Sequence, residues 1–158
     1  SSDFPMNFII NTIPHEANFT KLPPKSDVVN YGKYLTNAAG CVECHTKFEK
    51  GGLVAGTEFG GGREFTFPNG SIVRSSNISS YNTTGLGALS EEEFVHFFRS
   101  RTDSTLVNKK LNPGDFNSVM PWTMYGSMHE EDLKAIYAYL KTVVPINNSV
   151  EKFTSAPE

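Results

Sequence analysis

Cys41-Val42-Glu43-Cys44-His45 sets two thiols one helical turn apart and an imidazole directly after the second. In a C-x-x-C-H run the thiols can add to the two vinyl groups of a haem, while the imidazole coordinates the iron from the same side of the ring. The porphyrin dictates both spacing and residue order. A thioredoxin-like C-x-x-C would follow a strand in an alternating α/β pattern, whereas Cys41 follows a stretch with helical periodicity. A structural zinc site needs about four ligands, and the sequence has two cysteines and four scattered histidines. A disulfide between Cys41 and Cys44 stays chemically open in an unattached form. Both cysteines lie in the motif, so no structural disulfide reports on the compartment.

A haem with one histidine ligand has either an open distal face or a second axial ligand, and a thioether from a loop is a common solution. Met120-Pro121-Trp122, Met124 and Met128 supply candidates. Any single methionine has the competing role of core filler. Met120 stands out because Pro121 forbids helix there and stiffens the backbone behind it; Met124 and Met128 are the reserves. The other histidines fit plainer roles: His15 beside Pro14 on the surface, His96 off the apolar stripe of its helix, and His129 as a helix N-cap. Arg63 or Arg74 could pair with a haem propionate, although surface solvation competes for each. Gly60-Gly61-Gly62 is a loop and no phosphate cradle, because no Lys-Ser/Thr follows it.

These residues need a frame. The 158 residues, 38% of them hydrophobic, suffice for one core of ordinary size. Twelve Phe, six Tyr and one Trp offer flat apolar surface to enclose a macrocycle. The formal charge of −3 argues against nucleic acid or an anionic membrane as partner. No apolar run approaches the ~20 residues of a membrane span, and no signal peptide stands at Ser1, so the chain reads as a processed or trimmed soluble portion.

Residues 1–25 carry Pro5, Pro14, Pro23 and Pro24 and no helical period. They predict an extended arm, partly packed down through Phe4, Met6, Phe8, Ile9, Ile10 and Ile13 or serving as a tether to a lost anchor. The main domain is expected over 26–146. Ser26 as N-cap and Val28, Tyr31, Leu35, Ala38 and Ala39 at spacings of three and four predict a helix to about Gly40, with Gly32 allowing another helix to cross closely. Between Gly40 and Gly87 fall ten of the thirteen glycines, which disfavours regular helix. Within that interval Pro68-Asn69-Gly70 between apolar runs predicts a β-hairpin. Ser90 and Glu93 form a capping box, with Leu89 and Phe94 as a staple, ahead of an apolar stripe of Phe94, Phe97 and Phe98. Thr102 to Met128 reads as mostly loop, with a turn at Asn112-Pro113-Gly114-Asp115. The last helix should start at His129, aided by Ser127, and end at Pro145. Residues 147–158 are a polar tail expected to fray.

Taken together, Gly32-Lys33-Tyr34-Leu35, Gly40 to His45, Ser76-Asn77-Ile78, Gly85-Leu86-Gly87, Ser90 to Phe94, Met120-Pro121-Trp122 and Glu131 to Leu140 resemble, in matching order, a class I monohaem cytochrome c. The resemblance extends from Ser26 to Pro145 and is nearest to the cytochrome c domains of bacterial membrane-bound dehydrogenases and respiratory complexes. It implies a mostly α fold, with N- and C-terminal helices crossing beside the haem and a small β-hairpin insertion. It implies one covalent haem c, thioethers at Cys41 and Cys44, His45 as proximal ligand and Met120 as distal ligand. With both axial positions filled, the implied role is electron transfer and no catalysis, between a dehydrogenase, a quinol-oxidising complex or a terminal oxidase. Such attachment is made in the periplasm or on the outer face of the bacterial inner membrane. The alternative is a haem peroxidase or gas-binding protein with a displaceable distal ligand. The departures from the family are His129, where Ser or Thr is usual, and the proline-bearing arm.

Overall fold

The computed structural model describes residues 3–13, 16, 21–103, 110–112 and 114–156. His15 and Pro113 lie outside them. Within the described part of the arm the expected extended chain is instead α1 (Met6–Ile9) running into a 3-10 turn (Ile10–Thr12). Phe4, Met6, Phe8, Ile9, Ile10 and Ile13 are all exposed there.

Helix α2 (Val28–Ala38) starts one residue later than Ser26 predicts. Asp27 is the cap because one carboxylate oxygen accepts the Asn30 backbone N–H at 3.3 Å and the other its side-chain amide at 2.7 Å. Gly40, at φ +64°, ends the helix in the left-handed region, where a glycine lacks the Cβ penalty. The one-turn helix α3 (Cys41–Cys44) follows at once. Strands β1 (Phe48–Glu49) and β2 (Gly52–Leu53) form a minimal antiparallel pair. The predicted hairpin is β3 (Glu64–Thr66) against β4 (Ile72–Arg74), with Phe65 opposite Val73.

Helix α4 (Glu91–Arg99) carries the complete capping box: Ser90 Oγ accepts the Glu93 N–H and Glu93 accepts the Ser90 N–H. It continues into a 3-10 turn (Ser100–Thr102). Helix α5 (Trp122–Gly126) begins directly behind Pro121. Proline here blocks helix on its N-terminal side yet tolerates one after it, since the first turn has no use for its missing N–H. Helix α6 (Glu130–Leu140) has His129 in the N-cap position but without a side-chain cap bond. Ser127 does not share that task; its hydroxyl donates back to the Met124 carbonyl at 2.7 Å. The helix also stops well short of Pro145, where the Thr142 hydroxyl donates to the Tyr139 carbonyl and the Ser80 hydroxyl to that of Val143.

The tail does not fray. β5 (Phe153–Thr154) adds antiparallel to β4, with Phe153 opposite Val73, making a three-stranded sheet in the order β3-β4-β5. At 35% helix and 9% strand the architecture is mixed, less helical than the expected mostly α fold. Among the described residues, the glycine-rich interval accounts for much of the difference.

The frame is the crossing of α2 and α6. A Cβ built on Gly32 would lie 1.8 Å from the Ala135 carbonyl oxygen. Backbone therefore touches backbone, and Leu133, Ala135, Ile136 and Leu140 of α6 are buried. Each large apolar side chain so buried stabilises the fold by about 1.5–3 kcal/mol. No helix among the described residues is long and apolar enough to cross a membrane.

Candidate haem-binding site

Cys41, Cys44 and His45 are brought together by α3, which α2 delivers through the sharp turn at Gly40. Both cysteines are free thiols. Cys41 is half-buried against the core cluster of Phe59, Phe94, Ile136 and Leu140, while Cys44 is exposed. Burial pushes the Cys41 thiol up to about 11, so it is protonated at neutral pH.

His45 is held from two directions. Its Nδ1–H donates to the Ser76 carbonyl at 2.7 Å, and its own carbonyl accepts the Gly61 N–H at 2.8 Å. Burial pushes the imidazole below its ordinary value, with the Ser76 bond acting in the opposite direction, which favours the neutral ring. A neutral ring protonated on Nδ1 presents Nε2 as a bare lone pair, the form an iron ion requires.

Around the motif, the Arg63 guanidinium donates to the Glu43 carbonyl and lies over the Phe48 ring, 4.4 Å from its centroid. Arg74 is committed to the sheet, bonding Glu64 at 2.7 Å and the Thr154 hydroxyl at 2.8 Å. Neither guanidinium is simply solvated. His96 is exposed, as its place off the apolar stripe predicts.

The methionines separate by environment. Met124 is 69% exposed, and Met128 is half-buried against the core cluster of Phe59, Phe94, Ile136 and Leu140. Met120 is half-buried on the segment entering α5, where its N–H donates to Ser118 Oγ at 3.1 Å. The chain that follows it is fastened twice. Tyr125 donates its hydroxyl to the Ala39 carbonyl at 2.7 Å, two residues before Cys41. Burial and the neighbouring Cys41 and Cys44 raise this phenol above its ordinary value. Just beyond it Arg99 donates to the carbonyls of Gly126 and Met128. A Cβ on Gly126 would meet the Thr102 methyl at 2.2 Å, so α5 rests directly on the end of α4. Trp122 completes an aromatic layer with Phe97 and Phe98, at 5.4 and 5.8 Å between centroids.

Two thiols on one turn, a neutral imidazole with its Nε2 free to ligate, and an apolar aromatic wall fit a covalently attached haem. Sequence reasoning missed Ser76, Tyr125 and Arg99. A backbone carbonyl leaves no signature in residue type, and the other two act through contacts distant in sequence.

No family model matches the chain. It is 32% identical over 120 residues to the gluconate 2-dehydrogenase cytochrome c subunit of Pantoea cypripedii, covering 75% of this chain and 24% of that protein. It is 34% identical over 118 residues to the fructose dehydrogenase cytochrome subunit of Gluconobacter japonicus, covering 73% of this chain and 21% of that one. A third relative is the cytochrome c subunit of alcohol dehydrogenase (quinone) from Gluconacetobacter polyoxogenes, 32% identical over 117 residues, 72% of this chain and 21% of that one. The chain is a homologue of dehydrogenase cytochrome c subunits. This cytochrome c homologue spans under a quarter of the length of these relatives.

Proposed function

We propose that this chain carries one haem c, joined through thioethers to Cys41 and Cys44 with His45 and Met120 as axial ligands, and that it transfers single electrons. The observation that carries this reading is α3 itself: two free thiols one turn apart, followed by an imidazole whose Nδ1–H is bound to Ser76. When bound, the group supplies a reversible one-electron couple. The chain's residues set its conditions. Ser76 fixes the ring plane and tautomer of His45. A thioether at Met120 is a soft ligand that favours ferrous iron, and the aromatic wall of Phe59, Phe94 and Phe98 disfavours added charge. Tyr125 and Arg99 hold the distal segment in place through both oxidation states.

The named relatives are subunits of sugar-acid, sugar and alcohol dehydrogenases, and by that likeness the electron donor is a dehydrogenase partner, with a quinol-oxidising complex or terminal oxidase downstream. The location is the periplasm or the outward face of the inner membrane. The chain's own role is electron transfer without catalysis.

The test is expression with a working haem-maturation system, followed by a denaturing gel stained for haem and spectra of both oxidation states. The expected protein keeps its haem on the gel, is low-spin, and in the ferrous state does not bind carbon monoxide rapidly. A colourless chain, or a Cys41–Cys44 disulfide, would refute the reading; rapid carbon monoxide binding would replace it with a gas-binding or peroxidase function.

A further inference from the structure

The amide of Asn77 is the most connected buried side chain near the motif, and no ligand or core role accounts for it. Only 6% exposed, it accepts the Ser79 N–H on Oδ1 at 2.9 Å. Through Nδ2 it faces the Ile146 carbonyl at 2.6 Å, Thr84 Oγ1 at 3.0 Å and the Asn148 carbonyl at 3.4 Å. A donor on one side and acceptors on the other fix which end is nitrogen. Thr84 Oγ1 in turn accepts the Asn148 N–H at 3.2 Å.

Asn77 directly follows Ser76, whose carbonyl accepts the Nδ1–H of His45. The peptide joining the two is clamped on its far side as well. A Cβ on Gly61 would lie 2.5 Å from the Ser76 carbonyl carbon and 2.6 Å from the Asn77 nitrogen, and the Gly61 N–H binds His45. The 75–78 segment is therefore pressed between the Gly61 backbone and the chain that returns after α6.

We propose that Asn77 is a positioning residue for the proximal imidazole: anchored to Ile146, Thr84 and Asn148, it holds the Ser76 carbonyl against His45 Nδ1 and so tunes the haem's reduction potential. This rests on His45 being an iron ligand. A strong bond from Nδ1–H to a carbonyl makes the ring a better electron donor to the metal and stabilises the oxidised form. Loosening the carbonyl removes that bias, so the potential rises. The segment after α6 thereby becomes part of the electron-transfer site.

The test uses Asn77→Leu, which keeps the branched outline and removes every side-chain polar contact, and Thr84→Val, which deletes one acceptor and carries the test if the first variant fails to fold. Val95→Ala, a buried position on α4 outside the network, controls for general destabilisation. Measured by spectroelectrochemistry, Asn77→Leu should shift the ratio of oxidised to reduced protein about tenfold toward reduced, ~59 mV for one electron. Thr84→Val should move it the same way by less. The hyperfine-shifted ring protons of His45 should move with the potential, while Val95→Ala lowers the melting temperature and leaves both unchanged. Haem-loaded variants whose potential and ring resonances match wild type would overturn the role of Asn77 alone. A wild type without covalent haem would overturn it together with the proposed function.

Discussion

Gly32 of α2 and Ala135 of α6 meet backbone to backbone, so closely that a methyl group at position 32 would sit 1.8 Å from the Ala135 carbonyl oxygen. The neighbouring Thr36 hydroxyl donates to the Gly32 carbonyl at 2.7 Å, and Thr36 is wholly buried. The obstacle is main chain on a packed helix, which cannot rotate away. Gly32→Ala should therefore destabilise the protein by at least ~3 kcal/mol, the upper end of overpacking penalties, outweighing the ~1 kcal/mol of helix propensity that alanine returns. Urea unfolding measures it; a stability equal to wild type would mean that the helices do not cross here.

The distal assignment separates three methionines. Met120→Ala should abolish the near-infrared sulfur-to-iron band of the ferric protein. Met124→Ala, at a 69% exposed position, should leave it intact. Met128→Ala should keep the band while costing about 2–5 kcal/mol of stability as a core truncation. Loss of the band in the Met128 variant alone would transfer the ligand role to that residue.

The two free thiols should differ in reactivity. Desolvation raises Cys41 to about 11, and the buried thiol resists ionisation until the pH nears that value, since burial penalises the charged form. Cys44 is exposed. Iodoacetamide at neutral pH should label Cys44 first, and labelling of Cys41 in the folded chain should accelerate as pH rises toward 11. Peptide mass spectrometry follows both sites, and equal rates at pH 7 would contradict the burial of Cys41.

Arg99 bonds the Gly126 carbonyl at the end of α5 and the Met128 carbonyl ahead of α6. Each bond from a charged donor is worth about 1.5–3 kcal/mol. In Arg99→Ala the distal segment should detach more readily: the sulfur-to-iron band should disappear at lower pH than in wild type, and added imidazole should bind faster. Unchanged imidazole kinetics would show that the segment is held by Tyr125 and Trp122 instead.

Local signals in the sequence were reliable guides to local structure. Asn69-Gly70 between apolar runs became β3 and β4, and Ser90 with Glu93 became a full capping box. Gly32 exposed the helix crossing because a helical glycine without a turn to make needs a steric reason. Adjacent choices were less legible: Ser26 and Asp27 are both good caps, and the two carboxylate oxygens of Asp27 satisfied two donors where a hydroxyl would serve one. The tail was misread because strand addition is non-local. Nothing in a polar stretch around Phe153 announces that Val73 waits opposite it. Cys41, Cys44 and His45 are contiguous in sequence and α3 brings them together for that reason, whereas the support for His45 is a carbonyl, which every residue possesses.

The bond from the Tyr125 hydroxyl to the Ala39 carbonyl joins the wall that bears the thiols to the wall that bears Met120. On the proposed reading, a flat pigment entering from outside would have to part those walls first. On that reading, tethering at Cys41 and Cys44 would precede formation of the Tyr125 bond to the Ala39 carbonyl. Extraction of such a pigment would in turn mean breaking the Tyr125 bond, so its retention would depend on one hydroxyl as well as on the two thioethers.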